Sequence, residues 1–304
     1  MNSPKKSNFS VKYDNSQQEW DAVIQNPEQK RMGETWLRDD TLDYWRHLRM
    51  RTPLKAFVAS DPAASWLTIG DGRYGTDAHY LLSLGAKPVH CSDISDTLLK
   101  IGHEQGFIQD YSAQNAELLN FADNTFDYVY CKEAFHHFPR PFIALSEMFR
   151  VAKKAVILCE PRDQMVDRAS LSVVSRFLKA LLGRRPDQYG FEEVGNFVYS
   201  VSERELEKFL LGLHHNKIAY IGCNDAYISG VELVPLQPIT EHEKKMTRKI
   251  KLKIAIFDAM VKVGLMKTQL ITAALFKEAP IQKTIAALKE FGWQVKDLPK
   301  NPYL

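Results

Sequence analysis

The fold is decided by residues 66–77, which read Trp66-Leu67-Thr68-Ile69-Gly70-Asp71-Gly72-Arg73-Tyr74-Gly75-Thr76-Asp77. A short apolar run ends in a glycine-rich turn, and apolar residues at helical spacing follow it. This order predicts a strand, a tight loop and a helix. Glycine allows such a loop to turn sharply and allows a ligand to approach its main-chain N–H groups.

The spacing of the glycines and of one later acid indicates what kind of ligand the loop binds. Gly70, Gly72 and Gly75 fit the pattern G-x-G-x-x-G, and Asp93 follows at roughly the 20-residue distance expected for that pattern. An acid there ends the next strand and can accept hydrogen bonds from ribose hydroxyls. The pattern predicts a cofactor that carries an adenosine, and the loop alone does not decide which one.

Composition limits the class of protein. The chain has 304 residues, of which 45% are hydrophobic and 25% charged, with a net charge of +3. These values are typical of a soluble globular protein, and the charge is too small to indicate a nucleic-acid partner. We expect no metal site, no signal peptide and no transmembrane segment. Four cysteines without C-x-x-C spacing predict free, buried or half-buried thiols in a reducing, cytoplasmic setting: Cys91, Cys131, Cys159 and Cys223.

Strands and helices alternate along the middle of the chain. The segments 89–91, 126–131 and 155–159 have strand-like composition, and residues 141–151 form an amphipathic pattern that begins with a proline. Such alternation predicts a doubly wound parallel sheet, whose ligands bind at the carboxyl ends of the strands.

Four segments are predicted. Residues 1–54 form an N-terminal arm and helical lid, with no regular structure before about residue 18. Residues 55–235 form the core and include a helix-like run over 171–182. Residues 236–268 are a basic helical insertion that acts as a cap, and residues 269–304 supply the last core strand and a C-terminal helix.

Three blocks in a fixed order carry a resemblance to a known family. The first is Gly70-Asp71-Gly72, the second is residues 90–95, which contain Asp93, and the third is residues 115–138, with the sequence NAELLNFADNTFDYVYCKEAFHHF. Together they resemble a class I S-adenosylmethionine-dependent methyltransferase of the type 11 kind, over about a third of the chain. The resemblance implies a Rossmann-like, doubly wound, mostly parallel seven-stranded α/β sheet with helical cap elements.

The resemblance also implies the cofactor and its site. S-adenosyl-L-methionine is the expected cofactor, and the residues at the matching positions are Gly70, Asp71, Gly72, Tyr74, Gly75, Asp93, Ile94, Asn115, Ala116, Cys131 and Lys132. The chain departs from the family at several of these places or beside them. Thr68 stands where an acid is usual, Tyr74 where the third glycine is usual, and Asn115 where an acid usually holds the adenine amino group. An amide oxygen can still accept that hydrogen bond.

Methyl transfer to a hydroxyl needs a base, because the hydroxyl must lose its proton. His136 and His137 follow the fourth strand, and Glu160 follows the fifth. In related O-methyltransferases a histidine at such a pair works with an acid like Glu160. Adjacent side chains on one turn diverge, so we expect only one of the two histidines to face the substrate.

The predicted function is therefore methylation of a small molecule, on a hydroxyl of a sugar or another metabolite. Two alternatives stay open: a non-catalytic scaffold that keeps the fold, and, less favoured, an NAD-dependent oxidoreductase. The basic helix over residues 240–265 is read first as a solvated face, second as a substrate cap over anionic groups, and last as a helix that contacts a membrane surface. The sequence does not predict the oligomeric state.

Overall fold

The protein is described by a computed structural model that covers residues 8–22, 24–169, 190–191 and 197–303. The helix-like run predicted over residues 171–182 lies outside this part of the chain. The helices are α1 (Asn8–Ala22), α2 (Pro27–Glu34), α3 (Leu42–Arg51), α4 (Lys55–Ser60), α5 (Thr76–Ser83), α6 (Thr97–Glu104), α7 (Pro141–Val151), α8 (Glu203–Gly212), α9 (Glu241–Lys262) and α10 (Gln282–Glu290). The strands are β1 (Trp66–Ile69), β2 (Val89–Asp93), β3 (Asp110–Ala113), β4 (Phe126–Lys132), β5 (Ala152–Pro161), β6 (Lys217–Cys223), β7 (Leu270–Phe276) and β8 (Gln294–Asp297).

The strands form one sheet in the order β3-β2-β1-β4-β5-β7-β6-β8. Strand β1 pairs in parallel with β2 and β4, and β2 pairs in parallel with β3. Strand β6 runs antiparallel to β7 and β8. The predicted doubly wound α/β fold is confirmed, with eight strands rather than seven. Strand β8 reads Gln-Val-Lys-Asp and is mostly exposed, so it lacks the apolar alternation by which a strand is recognised in a sequence.

The chain divides into two compact units. The first comprises Met1–Leu37, Pro62–Val156 and Tyr189–Tyr199. Its centre is β1, in which all four residues are buried. The ring of Trp66 lies 4.7 Å from that of Tyr128, its register partner on β4. The glycine loop thus begins directly after a strand whose side chains are all buried.

Helix α1 corrects the prediction that the chain has no regular structure before about residue 18. The segment is polar, and a polar helix of this length is marginal when isolated. Here tertiary hydrogen bonds hold it: Tyr13 donates to Glu117, and Asp21 accepts from Ser95 and Thr97. These partners are far away in the sequence, so local pattern carried no signal of them.

The second unit comprises Arg38–Asp61, Ile157–Gln188 and Ser200–Leu304. The boundary after Leu37 falls inside the predicted lid of residues 1–54. Thr41 caps α3, and Ser202 with Glu205 forms a capping box on α8. Helix α9 begins with a second capping box, made by Thr240 and Glu243. An apolar cluster joins α3 and α9 to the loop between β6 and α9: Leu42, Ala226, Val231, Val234, Ile250 and Ile254.

The four cysteines are free, as predicted: three are buried and Cys223 is half-buried. Among the described helices, none combines the length and the apolar character that crossing a bilayer requires.

Candidate functional site

The loop that follows β1 needs glycine at the first and third of its glycine positions, Gly70 and Gly75. Gly70 and Gly75 have φ angles of +70° and +78°, a region that side chains disfavour. A Cβ on Gly70 would lie 2.3 Å from the Cβ of Ala134, and one on Gly75 would lie 2.6 Å from Ile108. Tyr74 also adopts a positive φ, of 58°, although it is not a glycine, and its side chain is buried. The loop is therefore fixed by close packing and holds strain beside the predicted site.

Gly72 and Asp93 face each other across the ends of β1 and β2. A Cβ on Gly72 would lie 2.9 Å from the carboxyl carbon of Asp93. The Asp93 carboxylate is buried, and this burial raises its pKa to about 6, although hydrogen bonds from the backbone of Ser95, Gly72 and Ile94 pull the pKa down. A buried carboxylate next to a bare backbone is suited to accepting hydroxyl hydrogen bonds from a ligand.

Asp71 lies in the middle of the glycine loop, and its side chain points into the protein. Its two carboxylate oxygens accept from the backbone N–H groups of Asp77 (3.0 Å) and Ala78 (2.9 Å) at the start of α5. The hydroxyl of Thr68 donates to the same carboxylate at 3.0 Å. Asp71 therefore caps α5, and Thr68, which stands where an acid is usual, supports that cap.

Asn115 follows β3 and forms a local turn. Its side-chain oxygen accepts from the N–H of Glu117 at 2.9 Å. Because an amide oxygen has a second lone pair, this bond leaves the predicted adenine contact chemically available. Ala116 is buried and Ile94, after β2, is half-buried.

Cys131 and Lys132 end β4, and both side chains are buried. The Lys132 ammonium lies 3.7 Å from a carboxylate oxygen of Asp77 and 3.8 Å from one of Glu133. Glu133 has a φ angle of 48°, the second strained residue near the loop. The Lys132 ammonium is therefore engaged in ion pairs, and its contact with the cofactor stays a prediction.

The two histidines lie on the turn Phe135–His137, directly after β4. This turn is packed against the glycine loop, since Ala134 and Phe138 are the nearest neighbours of a Cβ built on Gly70. The imidazole rings are 4.0 Å apart; His136 is buried and His137 is exposed. The two rings therefore lie close together and differ in exposure, and which of them faces the substrate stays a prediction. Glu160 lies in the second unit at the end of β5, fully buried.

Sequence reasoning missed the residues that attach the N-terminal segment to these loops. Asp21 on α1 accepts hydrogen bonds of 2.6 Å from the hydroxyls of Ser95 and Thr97, which follow Asp93. The phenol of Tyr13 donates at 2.5 Å to Glu117, which follows Asn115.

A third contact of the N-terminal segment involves Trp36. Its ring lies 4.8 Å from the Arg73 guanidinium and 6.4 Å from the Tyr74 ring, both on the glycine loop. Described residues of the segment 8–37 therefore touch three of the four loops that carry the predicted cofactor contacts, namely those that follow β1, β2 and β3; the fourth lies at the end of β4. No spacing in the sequence connects these residues, so no local signal could have found them.

The site fits an adenosine-bearing cofactor by its own geometry. The buried Asp93 carboxylate lies against the backbone of Gly72, where a Cβ would be only 2.9 Å from the carboxyl carbon, so this acid and main-chain groups stand together. The described residues hold no cluster of three His, Cys, Asp or Glu side chains that could bind a metal ion.

Comparison with known proteins agrees with this geometry. A family model described as a methyltransferase domain matches residues 67–159. Demethylmenaquinone methyltransferase of Streptomyces griseus is 29% identical over 126 residues, which are 41% of this chain and 54% of that protein. The chain thus spans about half the length of this curated relative.

The similar solved structures share less sequence identity with this chain. Magnesium protoporphyrin IX methyltransferase from Synechocystis, solved with bound S-adenosylhomocysteine, has 15% identity and a TM-score of 0.44, over 83% of this chain and 88% of that one. The 1,6-didemethyltoxoflavin-N1-methyltransferase of Burkholderia thailandensis has 13% identity and a TM-score of 0.45, over 91% of this chain and 94% of that one.

The resemblance read from the sequence is therefore confirmed. Residues 67–159 match the methyltransferase-domain family, and S-adenosylmethionine is the cofactor that this resemblance implies. The matched range contains every predicted cofactor residue and both histidines, and it ends one residue before Glu160.

Proposed function

We propose that this chain transfers the methyl group of S-adenosylmethionine to a hydroxyl of a small molecule, with His137 as the general base. One observation carries the proposal: the turn that bears the histidines is packed against the same glycine loop that faces Asp93. The predicted base, His137, and the predicted cofactor loop, residues 70–75, therefore belong to the same part of the first unit.

The cofactor would be held through its adenosine. Asp93 would accept hydrogen bonds from the ribose hydroxyls, and the second lone pair of the Asn115 amide oxygen would accept from the adenine amino group. Gly70 and Gly72 allow the cofactor to contact the main chain. S-adenosylmethionine supplies a methyl group already activated by its sulfonium, so the protein mainly aligns the reactants and removes a proton.

Exposure distinguishes the two histidines. A general base must come within hydrogen-bonding distance of the proton that it removes. The His137 imidazole is exposed, whereas His136 is buried and its backbone carbonyl accepts from the N–H of Tyr199 at 3.3 Å. We assign the base to His137 and a packing role to His136. Glu160 is proposed as the catalytic acid that the resemblance implies.

The acceptor is proposed as a hydroxyl of a sugar or another metabolite, because a histidine base suits a group with a proton to lose. The curated relative is named for demethylmenaquinone, so that compound is the second acceptor class to test. A non-catalytic role is supported by two details: Thr68 brings no charge to the site, and the Asn115 oxygen is already engaged.

Calorimetry with S-adenosylmethionine, S-adenosylhomocysteine and NADH tests the cofactor. We expect micromolar affinity for the first two, loss of that affinity in Asp93→Ala, and no NADH binding. A preference for NADH would instead support an oxidoreductase.

Turnover of methyl-labelled cofactor on a panel of hydroxylated metabolites, with demethylmenaquinone beside them, tests the chemistry. We expect His137→Asn to lower kcat by roughly 10²–10⁴-fold with unchanged S-adenosylhomocysteine affinity. His136→Asn is the matched control and should keep most of the activity. Cofactor binding without turnover of any acceptor, unchanged in both variants and in Glu160→Gln, would favour the scaffold role.

A further inference from the structure

The outer face of α9 is more apolar than a solvated basic helix requires. The inner face buries Thr247, Ile250 and Ile254 within the second unit. Leu252 and Ile256 lie one turn apart on the opposite face, 58% and 49% exposed, and Val263 continues the same line at 61%. Three large apolar side chains thus form an exposed stripe along the C-terminal half of the helix.

Lysines line both sides of this stripe. At 100° per residue, Lys249 and Lys253 lie on one side of it, and Lys251, whose ammonium lies 5.4 Å from the Trp45 ring, and Lys262 lie on the other. Residues 244–257 contain no acidic residue. The first-turn acids Glu241 and Glu243 precede the stripe, and Asp258 accepts from the side chain of Asn224 at 2.8 Å. The outer face therefore combines an apolar line with positive charge alone.

We propose that this face, the stripe Leu252, Ile256 and Val263 with its flanking lysines, binds an anionic membrane surface. The helix would lie in the plane of the interface, with the apolar side chains at the boundary between headgroups and acyl chains. The lysine stems would cover apolar area while their ammonium groups meet anionic headgroups. The proposal does not depend on the proposed reaction.

Charge complementarity selects this occupant over a second copy of the chain. Two such faces packed against each other would oppose lysine with lysine on both sides of the stripe, which is unfavourable. In an anionic bilayer, the apolar side chains of the stripe can contact the acyl chains while the lysines on both sides contact negatively charged headgroups.

Co-sedimentation of the full chain with vesicles tests the proposal. We expect binding to phosphatidylcholine vesicles that contain 30% phosphatidylglycerol, little binding to pure phosphatidylcholine, and weakening as salt is raised. Leu252→Glu with Ile256→Glu should lower the partition coefficient at least tenfold. Lys249→Ala with Lys253→Ala should lower it by roughly tenfold or more, and only on anionic vesicles.

Matched controls come from α10 and its N-cap. Ile281 is 61% exposed and Lys283 and Lys289 are exposed, so Ile281→Glu and the pair Lys283→Ala, Lys289→Ala remove the same chemistry elsewhere in the second unit. We expect both controls to bind like the unchanged chain. The proposal is overturned if the chain stays in the supernatant with anionic vesicles, or if the controls lose as much binding as the α9 variants. A concentration-dependent dimer that Leu252→Glu with Ile256→Glu abolishes, without vesicle binding, would assign the face to self-association instead.

Discussion

Gly72 and Asp93 lie so close that a methyl group on the glycine would sit 2.9 Å from the carboxyl carbon of the aspartate. The two residues come from the ends of neighbouring parallel strands, β1 and β2. In a doubly wound sheet this edge is where ligands bind. The closeness of the pair means that the site has no room for a side chain at residue 72.

Gly72→Ala should therefore weaken cofactor binding. The added methyl group must displace the Asp93 carboxylate or occupy the space that the ligand needs. Because Gly72 lacks a positive φ, the substitution tests space and not backbone strain. We expect the affinity for S-adenosylhomocysteine, measured by calorimetry, to fall at least tenfold.

The control for this substitution is Gly212→Ala. Gly212 ends α8, and a Cβ there meets nothing within 4 Å. Its affinity for S-adenosylhomocysteine should equal that of the unchanged chain. Equal affinity in Gly72→Ala as well would show that the ligand does not approach this backbone.

Cofactor affinity should also depend on pH through Asp93. Burial raises its pKa to about 6, and only the ionised carboxylate accepts two hydroxyl hydrogen bonds. Ligand binding favours the ionised form, so affinity should be constant well above pH 6 and fall by up to about tenfold per unit below it. Calorimetric titrations of S-adenosylhomocysteine between pH 5 and 8 measure this.

Asp93→Asn supplies the comparison, because an amide does not ionise. The affinity of the Asp93→Asn variant for S-adenosylhomocysteine should be low and should not change across the same pH range. A flat profile in the unchanged chain would mean that Asp93 is not the group that binds the ribose.

Much of the fold followed from local pattern. The apolar run before Gly70 and the proline that opens α7 each predicted an element that the structure contains. These signals are local, since each depends on residues within one turn or one strand. Strand β8, polar and exposed, gives no such signal and is defined only by its pairing with β6.

The sequence predicted which loops form the site, but not which side chains pair with one another there. The order of the glycines and Asp93 predicted which loops meet. That Asp71 turns inward to cap α5, and that Lys132 pairs with Asp77, depends on contacts that spacing alone does not encode. The contact of Tyr13 with Glu117 joins residues more than a hundred positions apart.

Asp71 should prove more important for stability than for binding. Asp71→Ala would leave the buried N–H groups of Asp77 and Ala78 without their acceptor. Each such loss costs about 1–3 kcal/mol, so we expect the free energy of unfolding in urea to fall by roughly 2–4 kcal/mol. Asp39→Ala, at an exposed acid, is the control and should be near neutral. Unchanged unfolding combined with lost cofactor affinity would assign Asp71 to the ligand instead.

The N-terminal helix should slow the release of the cofactor. The Asp21 carboxylate accepts from Ser95 and Thr97 at 2.6 Å each, directly after the loop that bears Asp93. Asp21→Ala removes both acceptor contacts, each worth about 0.5–1.5 kcal/mol. We expect S-adenosylhomocysteine to dissociate about 5- to 50-fold faster in stopped-flow measurements, because the loop that holds the ribose loses its brace.

A helix that serves only the fold would give a different result. In that case Asp21→Ala would lower the urea midpoint and leave the dissociation rate of the folded fraction unchanged. Asn15→Ala, at an exposed position of the same helix, controls for changes in helix propensity and should alter neither quantity. Tyr13→Phe removes the second attachment, at Glu117, and should also speed dissociation if α1 braces both adenosine loops. Faster release in both variants, with Asn15→Ala unchanged, requires α1 to act on the ligand site itself.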